Sequence, residues 1–131
     1  IGELESLGDS GEAISRILSR KNVHKKSFDA EAVKNLNIMF EAVLYAYDVM
    51  IENLEAAHKG TLTNITNAYN AESHINALRN NYREAVVEQI DNGSKSYQTS
   101  VYYMDIMNEL EHMGDYMINV SQDLERAFIH K

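Results

Sequence analysis

The chain has no cysteine and no proline in 131 residues. Without cysteine no disulfide framework can form, which agrees with a reducing compartment. Proline removes a helical hydrogen bond and clashes with the preceding turn. Its absence, against an average near 5%, fits long uninterrupted helices. Positive charge is scarce: 12 Lys and Arg face 20 Asp and Glu, a net charge of −8. That balance argues against a nucleic-acid partner, which needs a basic face. No apolar run approaches the roughly 20 residues that span a bilayer, and no signal peptide is visible. The length suits one domain with a real core. The chain starts inside a helical pattern without an initiator Met, and so reads as a piece of something longer.

What is present is helical periodicity, broken at three points. "KNVHKKSFD" (21–29) offers Ser27 or Asp29 as a helix N-cap. "HKGT" (58–61) and "DNGS" (91–94) place Gly60 and Gly93 where a helix ends in a left-handed residue. Four helices are predicted, near 2–21, 29–58, 62–91 and 96–129. In the second, Val33, Leu36, Phe40, Val43, Tyr47, Met50, Leu54 and Ala57 follow a 3-4-3-4 spacing, which predicts a packed stripe. In the fourth, Leu110, Met113, Met117, Val120, Leu124 and Phe128 share one side. Short loops make successive helices antiparallel neighbours. The expected fold is therefore an all-α antiparallel bundle of four long helices, the longer ones reaching about 45 Å.

Charges interrupt the apolar stripes. The third helix reads Ile65, Ala68, Glu72, Ile75, Arg79, Tyr82, Val86. The fourth carries a second stripe of Met104, Met107, Glu111 and Ile118, with Asp115 one turn beyond Glu111. A half-buried charge without a partner is costly, so each should find a cation, a donor or a proton. Counting from the turn at 93–96, Arg79 lies level with Glu111 and Asn76 with Asp115, with Glu72 a turn further on. Two readings stay open: a structural polar layer in which Arg79 bonds Glu111 and fixes register, or a metal site. Glu-x-x-x-Asp puts two carboxylates one turn apart on one face, a pincer for a hard or borderline cation.

"ELESLGD" (3–9) and "ELEHMGD" (109–115) repeat one idea at both ends of the chain. Each includes a glycine inside a helix, Gly8 and Gly114, at a cost of about 1 kcal/mol relative to Ala. A repeated glycine points to close approach by another group, tight helix packing being the simplest.

"LEHMGDYMINVSQDL" (110–124) resembles the signature of PhoU phosphate-uptake regulators, through Leu110, Glu111, Gly114, Asp115 and Asn119. "LESLGDSGEAI" (4–14) is a weaker copy, with Leu4, Glu5, Gly8 and Asp9, and "AESHINALRNNYREAVVEQIDNG" (71–93) is similar to a third family segment. The layout resembles the cytoplasmic PhoU-like domain that follows the membrane part of bacterial sodium/phosphate cotransporters. The resemblance implies that 1–21 is the terminal helix of a truncated first repeat and 29–129 a complete second three-helix repeat. It implies zinc or iron at Glu72, Glu111 and Asp115, and at Glu5 and Asp9, with Asn76 and Arg79 as polar-layer partners. Asn76 stands where the family has Asp, His112 where it has Arg, and Ser96, Tyr97 and Gln98 where it has Asp-Leu-Arg. The implied partners are a transmembrane transport domain or other phosphate-uptake components, on the cytoplasmic side of the inner membrane. A lone motif helix with an exposed apolar side would also favour homo-oligomers.

An enzyme is not expected. No catalytic triad or glycine-rich phosphate loop is visible. Glu55-x-x-His58 and Glu109-x-x-His112 match the count of a di-iron carboxylate site. Glu55 lies at a helix end, roughly 30 Å along the bundle from Glu109, so they cannot share a metal. The basic residues Arg16, Arg20, Lys21, His24, Lys25 and Lys26 suit a helix C-terminus.

Overall fold

In a computed structural model, the structure describes residues 8, 9, 11–16, 28–93 and 95–129. Those residues contain helices and no strand. Three long helices follow one another: α1 (Ala30–Lys59), α2 (Thr66–Asp91) and α3 (Tyr97–Phe128). Residues 8, 9 and 11–16 are helical as well, and Ile14 among them is buried in the same core. The expected all-α bundle is the observed one, and each long helix packs on both others. Glu5, Arg20, Lys21, His24, Lys25, Lys26 and Ser27 lie outside the described residues.

Local chemistry explains the boundaries. Asp29 caps α1, its Oδ1 accepting the Ala32 N–H at 2.8 Å, and also pairs with Lys95 from the α2–α3 loop. The end of α1 closes on Gly60, whose φ of 75° is open to glycine at no steric cost. The following Thr61 N–H reaches back to the Ala56 carbonyl at 2.8 Å, completing a Schellman-type end. α2 starts four residues later than the spacing predicts. Asn64 holds the Thr66 N–H at 3.1 Å through its side chain, which turns the chain just before the helix. Ser96 caps α3, its Oγ accepting the Thr99 N–H at 3.4 Å.

The core is built from Met39, Met50, Ile75, Ile106, Met107 and Leu110, all essentially inaccessible. One sequence expectation is corrected. Leu36, Val43, Met50 and Ala57 of the α1 stripe are buried, but Val33, Phe40, Tyr47 and Leu54 are exposed. α1 is apolar around much of its circumference, and its inward sector faces two helices at once. Burial therefore centres on the line through Met39, Ala46 and Asn53, leaving the other edge of the stripe outside.

Asn53 is the polar member of that buried line. Its Nδ2 donates to Asn67 Oδ1 and to Ser121 Oγ, both at 3.2 Å, while Asn67 Nδ2 donates back to Asn53 Oδ1 at 3.1 Å. One residue from each long helix meets in this knot, near the α1–α2 loop. A satisfied buried network of this kind fixes one register, because any slip would strand its donors and acceptors.

Candidate functional site

The α2–α3 antiparallel pair sets the site. Ile75, fully buried, lies directly over Gly114: a Cβ added at Gly114 would stand 2.9 Å from Ile75 Cδ1. Ile75 and Gly114 precede Asn76 and Asp115, so this contact fixes the level predicted by counting from the loop. Gly8, in the first copy of the motif, has nothing within 4 Å of such a Cβ. Close packing therefore explains one glycine and not the other.

On this scaffold Glu72, Asn76 and Arg79 of α2 and Glu111 and Asp115 of α3 are all half-buried. A narrow crevice runs beside Glu72, lined by Ala46, Ala71, Gly114, Met117 and Ser121. The Glu72 carboxyl is pushed above the ordinary carboxylate range, first by burial and then by the negative charge of Asp115. Glu111 is pushed up by burial, by a hydrogen bond with Asp115 and by the charge of Asp115. Arg79 and His112 pull Glu111 the other way, but more weakly. Glu72 and Glu111 thus both lie in the field of Asp115, and each takes up a proton more readily than a free carboxyl.

The expected ion pair is not made. Among the described residues the ion pairs are Lys95–Asp29 and Arg126–Asp123. Arg79 attracts Glu111 from longer range, and its Nε is buried without a partner. Asn76 Oδ1 and Asn108 Oδ1 are likewise buried and unpartnered. Such orphan atoms mark a layer whose hydrogen bonding is incomplete within the chain.

Among the described residues no three His, Cys, Asp or Glu side chains converge as a metal ion requires. Asp9 is exposed, and Glu5 lies outside the described residues. His112 points to solvent, as its helical spacing predicts, and Glu55 and His58 are exposed at the end of α1. The knot of Asn53, Asn67 and Ser121 was missed by sequence reasoning. Its signal was an asparagine seven residues after Ala46, on the same face of α1.

A second cavity lies at the opposite end of the bundle. This open cleft of about 180 Å³ is lined by Phe28, Asn35, Tyr82, Gln89, Lys95 and Tyr103 among others. Burial pushes the Tyr103 hydroxyl up to about 12. The Tyr97–Tyr103 cluster packs unevenly: Tyr103 is buried and meets Phe28 edge-on at 6.4 Å, whereas Tyr97 is exposed.

The sequence matches the PhoU domain over residues 36–124, and the chain belongs to that family. The matched span runs from Leu36 of α1 to Leu124 of α3 and so contains the whole acid layer. No curated protein and no solved structure matches the chain. No helix among the described residues is long and apolar enough to cross a membrane.

Proposed function

We propose that this PhoU domain regulates phosphate uptake as a part of a sodium/phosphate cotransporter, docking on the membrane transport part and biasing its flux. The observation that carries the regulatory reading is the family match across α1 to α3 with the Glu111–Gly114–Asp115 motif at the helix crossing. In this reading residues 29–129 form a complete three-helix repeat and 1–21 the last helix of another. No reaction is assigned to it. The work is conformational: a polar layer that gains or loses charge changes how α2 and α3 pack, and with it the docked surface.

Radiolabelled phosphate uptake by cells carrying the full-length protein tests the role. Removing this domain, or substituting Glu111→Ala, should change flux at constant protein level. Equal flux in all three would overturn it. Residues upstream of Ile1 separate the cotransporter from a stand-alone PhoU-type regulator, the first bringing several apolar segments and the second two further helices.

The metal-responsive version assigns Glu72, Glu111 and Asp115 as ligands for zinc or iron. It requires side-chain rotation, because the three do not converge as they stand. Thermal melting with added Zn²⁺ or Fe²⁺ decides it. A melting temperature raised by metal in the wild type and not in Glu111→Ala supports metal binding; a flat response in both removes the metal and leaves the proton.

A further inference from the structure

The outer edge of α1 carries an apolar line that the bundle leaves largely exposed. Val33, Phe40, Leu44, Tyr47 and Leu54 are exposed, and half-buried Ile51 continues the same line. Leu44 is 62% exposed, so this is an open surface and not the margin of the core. The spacing of 7, 4, 3, 4 and 3 residues keeps these side chains on one stripe. At 1.5 Å per residue the stripe runs about 30 Å, the length of six turns.

A second line lies beside it. Glu41, Asp48, Glu52 and Glu55 follow one another at three- to seven-residue spacing, all exposed. None of them forms an ion pair among the described residues. Lys34 stands at the N-terminal end of this acidic line.

An apolar stripe edged by charge is the pattern by which one helix recognises another: the stripe supplies the contact and the flanks choose the partner. The charge here excludes two occupants. A second copy of the chain laid antiparallel along the same stripe would bring four more acids against these four. An anionic membrane surface would meet the same repulsion, on a chain of net charge −8. We propose that the α1 stripe is a docking face for an amphipathic helix of a partner, with an apolar seam and Lys or Arg along one flank. An acidic residue at the end facing Lys34 would fix its direction. The inference stands on α1 alone and does not rest on the phosphate role.

The test uses two synthetic helical peptides of about 21 residues with one shared Leu seam, flanked by Lys in one and by Glu in the other. Titration calorimetry at about 0.15 M salt, where long-range attraction is screened, should show the Lys-flanked peptide binding and the Glu-flanked one not. Leu44→Gln, which changes no charge, should weaken binding at least tenfold while the circular dichroism melt stays unchanged. Replacing Asp48 and Glu52 together by Lys leaves two acids and two lysines on the flank and should erase the preference between the peptides. Absence of binding by the Lys peptide overturns the proposal. So does Leu44→Gln binding equally well, since attraction would then be charge alone. Sedimentation showing a dimer that Leu44→Gln dissociates would assign the stripe to a second copy and overturn it as well.

Discussion

The two copies of the Gly-Asp motif have nearly the same sequence and different surroundings. Gly114 is buried under Ile75, and Asp115 faces Glu111 and Glu72. Gly8 and Asp9 are exposed, with no neighbour within 4 Å of a Cβ at Gly8. A motif therefore acquires its chemistry from the helix laid across it. In the second copy Glu111 is shifted upward by burial and by its neighbour Asp115, and Asp115 also raises Glu72 across on α2. The first copy has no described counterpart to α2.

The largest test of this comparison is to fill both glycines. Gly114→Leu should cost about 3 kcal/mol by overpacking against Ile75, read as a lowered denaturant midpoint at unchanged slope. Gly8→Leu should cost nothing and, by helix propensity, gain up to about 1 kcal/mol. Equal losses would break the contrast. The next test is specific to the contact. Gly114→Ala gains about 1 kcal/mol of helix propensity and loses more to the 2.9 Å approach of Ile75 Cδ1. Combined with Ile75→Val, which removes that terminal methyl, much of the loss should vanish. A double-mutant coupling near 1 kcal/mol is expected, and strict additivity would deny the contact.

The acids give a pH signature. The carboxyls of Glu72 and Glu111 are raised above the model-compound value of 4.5 in the folded chain. The folded state then holds more protons than the unfolded one over the window that starts near 4.5 and runs up through the raised values. Their contribution to stability is full below that window and is lost as pH rises through it. Glu111→Gln keeps a neutral, hydrogen-bonding side chain, so it should flatten this fall. Chemical denaturation between pH 4 and 8 checks it, and an unchanged slope would show that Glu111 is not held protonated. The smallest effect belongs to the open copy: Gly8→Ala should stabilise by up to about 1 kcal/mol, since only propensity changes. A loss on Gly8→Ala would reveal a hidden contact there.

Much of this was legible in the sequence. Gly60, Asp29 and the stripes of α2 and α3 carry local signals, and local chemistry decides helix ends and faces. The level of Ile75 with Gly114 followed from counting along two rigid rods from one short loop. Periodicity could not say which edge of α1 faces inward, because α1 has apolar residues on both edges and the choice is made by two neighbouring helices. The exposure of Phe40 and Tyr47 is the result. Nor could spacing decide whether the Arg79–Glu111 bond forms. That depends on a few ångströms of side-chain reach and on which charge is nearer, and Asp115 outweighs Arg79.

The amide knot has a mechanical consequence. Asn53, Asn67 and Ser121 rivet the three rods together beside the α1–α2 loop, while the other end holds the open cleft, with the Tyr103 hydroxyl beside Asn35. A bundle riveted at one end should yield first at the other, which gives the rivet leverage over the acid layer partway along the helices. Amide exchange that quickens steadily from the rivet towards Asn92 is the expected trace of that leverage.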